Sequence, residues 1–214
     1  MKEKLTKAFA ILGIALAALG AATTTAQAAW QKTSKGWSYT QGTSGRKVTG
    51  LRRIDGKWYF FDKAGNMKTG WVRYDGDWYY FKSDGSAATG WQKIGGKTYY
   101  FDTKDAEMET GAERIKGKIY VFGSDGALKT GGWVKDDGDW YYCRKDGTAV
   151  TGWQKISGKW YYFDVEDGEM ETGWLKLGGK KYYLGRDGAM VTGWKTIGGK
   201  TYYFNGSGVM TKTR

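Results

Sequence analysis

Apolar and polar positions alternate in short bursts along this chain, and then the pattern starts again. Trp71-Val72-Arg73-Tyr74 is followed by Asp75-Gly76, then by Trp78-Tyr79-Tyr80-Phe81, then by Ser83-Asp84-Gly85. Runs this short, rich in aromatic side chains and cut by Gly at both ends, predict strands and leave no room for helices. Asp-Gly between two such runs predicts a tight hairpin, because the favoured two-residue turn needs positive φ at both central positions. Alternation along the returning strand puts Trp78 and Tyr80 on one face and Tyr79 and Phe81 on the other. Both faces are aromatic, so neither is expected to lie fully in water. One row builds a stack of hairpins, and the second is available to a ligand.

The pattern is periodic. Thr-Gly ends at Gly50, Gly70, Gly90, Gly111, Gly131, Gly152, Gly173 and Gly193, at spacings of 20, 20, 21, 20, 21, 21 and 20. The first turn glycine recurs at Gly56, Gly76, Gly96, Gly117, Gly138, Gly158, Gly179 and Gly199. A period of this length marks a repeat array, in which each unit buries its apolar face only by stacking on its neighbours. The predicted fold is all-β, a β-solenoid of stacked β-hairpin repeats of about 20 residues. The array of about eight repeats spans 51–214. Residues 29–50, including "GWSYTQGTSGRKVTG", read as an N-terminal segment with a degenerate capping repeat.

The first 28 residues differ. Lys2, Lys4 and Lys7 precede an apolar run from Ala8 to Ala22, and Ala26-Gln27-Ala28 is a small-x-small cleavage pattern. That is a secretory signal peptide, with an apolar run too short to span a bilayer. The mature protein is therefore expected to be secreted, to associate with the cell wall or cell surface, and not to span the membrane. Net charge over the full chain is +12, and removing residues 1–28 takes away three Lys and one Glu. The remaining positive balance favours anionic partners. Its basic residues are spread over every repeat rather than gathered in one run, which argues against nucleic acid.

Catalysis finds little support. The chain has no His, so His-based triads and His zinc sites are excluded. Asp105, Glu107 and Glu109 recur as Asp167, Glu169 and Glu171. A calcium site or a glycosidase pair is one reading of them, and a solvated turn with one extra residue is the plainer one. A glycosidase pair also needs a cleft. Cys143, in "WYYC", stands where Phe81, Phe101, Phe163 and Phe204 stand in other units, and reads as a buried apolar substitute. No metal or cofactor is expected, and the chain is read as not an enzyme.

The second aromatic row is uneven. The opening Trp is present at Trp71, Trp91, Trp133, Trp153, Trp174 and Trp194 and replaced at Leu51 and Ala112. The second is present at Trp58, Trp78, Trp140 and Trp160 and replaced by Thr98, Ile119, Lys181 and Thr201. Of these units, three carry both: Trp71/Trp78, Trp133/Trp140 and Trp153/Trp160. A Lys at this position implies at least half exposure, which favours a surface groove over a core.

"TGWVRYDGDWYYFKSDGSAATGW" and "TGWQKISGKWYYFDVEDGEMETGW" resemble the choline-binding, or cell-wall-binding, repeats of Gram-positive bacteria and their phages, over about Gly50 to Met210. The resemblance implies a left-handed solenoid of hairpins and a non-catalytic, secreted wall-binding module. It implies choline, or phosphocholine, of teichoic acids held by two Trp of one repeat and an aromatic of the next, often beside a Met. Carried onto this chain, the boxes are Trp71 and Trp78 closed by Tyr100, Trp133 and Trp140 closed by Tyr162, and Trp153 and Trp160 closed by Tyr183, with Met170 and Met190 in the connectors. "TGWQKIGGKTYYFD" and "TGWKTIGGKTYYFN" lack the second Trp. They resemble the related glucan-binding repeats of streptococcal glucosyltransferases and the C-terminal repeats of large clostridial toxins. Choline and a glucan-type carbohydrate, in a wall or extracellular glycan or an adhesin, therefore stand as alternative ligands.

Overall fold

The structure is a computed structural model that describes residues 28–42 and 45–214. The expected signal peptide lies outside the described residues apart from Ala28. All regular elements among the described residues are strands. The described residues fall into two compact units, one of those up to 92 with 100–108, the other of 93–99 and 109–214.

Unit one contains β1 (Ala29–Thr33), β2 (Gly36–Thr40), β3 (Gly50–Ile54), β4 (Lys57–Phe61), β5 (Gly70–Tyr74) and β6 (Asp77–Phe81). The strands β7 (Gly90–Ile94) and β8 (Lys97–Phe101) each contribute residues to both units. Unit two continues with β9 (Gly111–Ile115), β10 (Lys118–Phe122), β11 (Gly132–Asp136), β12 (Asp139–Cys143), β13 (Gly152–Ile156) and β14 (Lys159–Phe163). It ends with β15 (Gly173–Leu177), β16 (Lys180–Leu184), β17 (Gly193–Ile197), β18 (Lys200–Phe204) and β19 (Met210–Thr213). Within each unit consecutive strands pair as antiparallel hairpins, and β19 adds a third strand to β17–β18.

The hairpins form where the turn chemistry directs. At the β5–β6 turn Asp75 has φ 52° and Gly76 φ 99°, the two positive values a tight twisted hairpin requires. The resulting register places Trp71 opposite Tyr80 and Arg73 opposite Trp78 on one face, with Val72 opposite Tyr79 on the other. The second turn is held by Asp84, whose Oδ1 accepts bonds from Ser86 N at 2.9 Å and Ser86 Oγ at 2.7 Å.

Stacking then follows from the aromatic rows. The last residue of each returning strand from β4 onward is sealed: Phe61, Phe81, Phe101, Phe122, Cys143, Phe163, Leu184 and Phe204 are all 0–1% exposed. Burying such a side chain is worth about 1.5–3 kcal/mol. In unit two, Trp133 of β11 packs against Tyr161 and Phe163 of β14, and Trp174 of β15 against Tyr202 and Phe204 of β18. In unit one, Trp30 of β1 does the same to Tyr59 and Phe61 of β4. The outer face of one hairpin thus meets the inner face of the next, which is the β-solenoid arrangement. Cys143 takes the Phe position, and burial pushes its thiol up to about 11, in keeping with an inert apolar substitute.

Backbone hydrogen bonds tie each hairpin to the connector beyond its neighbour. The Trp37 carbonyl accepts from Met67 N, Trp78 from Met108 N, Trp140 from Met170 N and Trp160 from Met190 N, at 2.6–2.8 Å. Connector side chains need room. An added Cβ on Gly85 would collide with Met67 Sδ, and Gly85 also has φ 80°.

Candidate functional site

The two Trp of a repeat share the outer face of one hairpin, one opening the first strand and one near the start of the second. Trp71 and Trp78 lie with ring centroids 6.2 Å apart and planes at 86°, and Trp133 and Trp140 at 6.3 Å and 87°. Two rings at right angles make a corner. Trp71 is 38% and Trp78 40% exposed, so the corner opens to solvent, as the Lys181 argument required. Ile119 departs from that argument: at 5% exposure it has turned into the core with Val121, Tyr141 and Cys143.

The structure adds a pair that the repeat count missed. Trp30 and Trp37, on β1 and β2, stand 6.5 Å apart at 86°, with Tyr59 4.8 Å from Trp30. The segment read as degenerate holds a full hairpin with the same indole corner. The signal was present: Trp30 and Trp37 are seven residues apart, as in the other three pairs, although no Thr-Gly precedes them.

Trp153 and Trp160 behave differently. Both belong to β13–β14, but no ring contact joins them among the described residues. Trp153 is half-buried between Tyr162 at 5.3 Å and Tyr182 at 5.1 Å, and Trp160 stands exposed.

Two of the three closing tyrosines are shifted by one residue, and the third, Tyr100, lies on Trp91. Tyr162 does not close the Trp133 corner; Tyr161 does, with its ring 5.0 Å from Trp133. Tyr183 does not close on Trp153; Tyr182 does. Tyr100 lies on Trp91 at 5.1 Å, Tyr162 on Trp153, and Tyr183 on Trp174 at 5.3 Å, each as the cross-strand partner within its own hairpin. The reason is strand parity. Consecutive residues point to opposite faces, and the face laid on the preceding hairpin is that of Tyr161 and Phe163. Met170 and Met190 also belong one repeat earlier than their position in the chain suggests. Their amides bond the carbonyls of Trp140 and Trp160, and Met67 and Met108 hold the same place behind Trp37 and Trp78. Behind Trp58 and Ile119, whose hairpins lack the first Trp, the residue is Ala87 or Ala149, and behind Thr98 it is Leu128.

In two repeats a cation lies over the second indole. Lys135 Nζ sits 5.8 Å from the Trp140 ring and Arg53 5.9 Å from Trp58, each directly across the hairpin. The recurring carboxylates are not simply solvated. Tyr79 Oη donates to Glu107 Oε1 at 3.1 Å and Tyr141 Oη to Glu169 Oε1 at 3.3 Å, while Glu109 is buried. Burial, reinforced by the facing carboxylate, raises both tyrosine hydroxyls well above their ordinary range. Burial, with Asp167 and Asp139 nearby, raises the Glu169 carboxyl. Among the described residues no group of three or more Cys, Asp or Glu is placed to hold a metal.

A family model described as a choline-binding repeat matches residues 48–88, 68–110, 129–172 and 150–192, and one for a cell wall binding repeat matches 192–210. Among solved structures, choline binding protein F from Streptococcus pneumoniae, crystallised with a peptidoglycan analogue, is 31% identical with a TM-score of 0.62. The match covers 87% of this chain and 70% of that one. A structure of CbpF in complex with ipratropium is 31% identical with a TM-score of 0.63, over 82% of this chain and 63% of that one. The choline-binding domain of CbpL from Streptococcus pneumoniae is 31% identical with a TM-score of 0.50, over 77% and 87%. A comparison with curated proteins finds no match.

Proposed function

The chain belongs to the choline-binding, cell-wall-binding repeat family, and from that premise we propose that it is an exported, non-catalytic module that holds choline of wall teichoic acids in its indole corners. The observation that carries this reading is the right-angled indole pair, 6.2–6.5 Å apart, at Trp30/Trp37, Trp71/Trp78 and Trp133/Trp140, with both rings exposed in the last two pairs and an exposed Trp37 beside a half-buried Trp30 in the first. A quaternary ammonium donates no hydrogen bond and is cheap to desolvate. It binds aromatic faces by cation–π attraction, about 0.5–2 kcal/mol per ring according to how far it is desolvated. Tyr161 beside Trp133 and Tyr59 beside Trp30 supply a third ring. Such sites are individually weak. Several of them on one polymer raise avidity by roughly 10²–10⁴.

Export is supported by the charged, then apolar, then Ala-Gln-Ala start of the chain. A non-catalytic role is supported by Glu107 and Glu169, which tyrosine hydroxyls hold in place at the repeat junctions.

A second reading has an observation of its own. Trp91 on Tyr100 and Trp194 on Tyr203 offer exposed ring platforms in repeats whose second Trp is a Thr, which suits a sugar ring stacked beside a hydroxyl. Intrinsic Trp fluorescence titrated with choline and with glucan oligosaccharides separates the two. Saturation by choline is expected. A chain whose fluorescence and melting temperature ignore saturating choline contradicts the choline reading, and muropeptides released from purified peptidoglycan contradict the non-catalytic one.

A further inference from the structure

The hairpin β9–β10 departs furthest from the repeat, and what replaces its indoles is not neutral. The choline-binding repeat model matches up to residue 110 and from 129 onward, leaving this hairpin between its matches. Ala112 stands for the first Trp, and Ile119 for the second. With Ile119 drawn into the core, the outer side is a groove of about 370 Å³ within unit two, in the size range of small-molecule sites (about 300–1,000 Å³).

Its polar lining is basic: Arg114, Lys118 and Arg144, against one carboxylate, Asp146. Main-chain oxygens hold both guanidinium groups. Arg114 Nη1 donates to Gly117 O at 3.1 Å, and its Nη2 to Val165 O at 3.1 Å and to Glu166 O. Arg144 Nη1 donates to Ala149 O and to Thr148 Oγ1, both at 3.3 Å. None of the three cations enters an ion pair among the described residues.

The repeat shows what is missing. Lys97 pairs with Asp125 at 2.9 Å and Lys159 with Asp187 at 3.2 Å, each 28 residues on. The same spacing from Lys118 reaches Asp146, but no ion pair forms there. Asp146 Oδ1 instead accepts from Thr148 N at 3.0 Å and Thr148 Oγ1 at 2.7 Å. Three cations and one committed carboxylate leave a local excess of two positive charges.

We propose that this groove is an anion site that binds a phosphate ester, the phosphodiester of a polyol-phosphate wall polymer. Guanidinium forks match phosphate oxygens in pairs, and arginines already held by backbone carbonyls lose little freedom on binding. Among the described residues no aromatic ring lines the groove for a nucleobase to stack on, which favours the polyol chain over nucleic acid. The choice of a wall polymer rests on the wall-binding reading above; the anion site itself does not rest on choline.

The test is calorimetric titration of the full mature chain with a glycerol-phosphate hexamer free of choline, at low and at physiological salt. Binding that weakens as salt rises is expected. The double variant Lys118→Gln/Arg144→Gln should lose at least about tenfold in affinity, since it removes two charge-assisted contacts at once. The Lys118 side chain makes no hydrogen bond among the described residues, so Lys118→Gln alone is the variant that reports binding rather than folding. It should lose a measurable part of the affinity with an unchanged melting curve. Trp140→Ala should leave hexamer binding intact.

No binding by the wild-type chain overturns the proposal, as does equal affinity in the double variant. So does a loss in Trp140→Ala as large as in the double variant. Oligothymidylate of equal charge bound as tightly as the hexamer overturns the assignment to a polyol phosphate. Hexamer binding in a chain that ignores choline supports the groove while contradicting the choline reading.

Discussion

Two hairpins of unit two, β11–β12 and β9–β10, have the same antiparallel register and five-residue strands, and both end in a sealed side chain, Cys143 or Phe122. Their outer faces share almost nothing. One carries the Trp133/Trp140 corner with Tyr161 beside it, and the other carries Ala112, a buried Ile119 and a basic groove. Inner row and outer row are therefore separable. The inner row and the connector bonds build the stack, since Ala149 N bonds Ile119 O just as Met170 N bonds Trp140 O. The outer row is free to change chemistry without changing the backbone.

The largest effect should come from breaking the inner row. Phe163 is fully buried, and Phe163→Ala should cost about 3–5 kcal/mol in chemical denaturation. Trp140→Ala removes a side chain that is already two-fifths exposed, so its cost without ligand should be small, about 0.5 kcal/mol. Equal losses in the two variants would erase the distinction between rows.

Ligand linkage comes next. Choline at about 100 Kd should stabilise the chain by roughly 2.7 kcal/mol per independent site, as a ligand bound only to the folded state must. In Trp140→Ala the gain should fall by one site's share, whereas Thr201→Ala should leave it unchanged. Differential scanning calorimetry with and without choline measures both.

Cys143→Ser tests the inner row from the other side. A hydroxyl in a sealed apolar position should cost about 1–3 kcal/mol if it finds no partner. The native thiol, raised to about 11 by burial, should react slowly with thiol reagents until the chain unfolds.

The smallest effect concerns Glu169. Its carboxyl is raised in the fold, so the folded state holds the proton more tightly than the unfolded chain does. That costs stability at neutral pH, and the cost disappears as pH falls toward the unfolded value near 4.3. Glu169→Gln keeps an oxygen that can accept from Tyr141. It should raise the melting temperature slightly at pH 7, and the advantage should vanish near pH 4.

Much of this was legible in the sequence, and the limits have physical causes. The Thr-Gly period, the Asp75-Gly76 turn and the separation of Tyr79/Phe81 from Trp78/Tyr80 follow from local chemistry with periods of 20 and 2. Which tyrosine meets Trp133 depends on how one hairpin is laid on the next, which is a non-local relation. Tyr161 and Tyr162 differ by a single step along one strand, and nothing in "WYYF" says which of them faces backward. The same relation moves Met170 from its own repeat to Trp140. The Trp30/Trp37 corner was readable from its seven-residue spacing, but its lack of a leading Thr-Gly hid it. Ile119 occupies the position that Lys181 marks as half exposed, and its packing with Tyr141 and Cys143, a non-local relation, is what turns it inward.

The most direct measurement is choline titration followed through the indole N–H signals of the twelve Trp in a two-dimensional ¹H–¹⁵N NMR spectrum. The account predicts saturable shifts at Trp30, Trp37, Trp71, Trp78, Trp133 and Trp140, with Trp174 and Trp194 still, because Lys181 and Thr201 leave those hairpins without a corner. Shifts confined to Trp174 and Trp194, or an unmoved Trp133 and Trp140 at saturating choline, would contradict it.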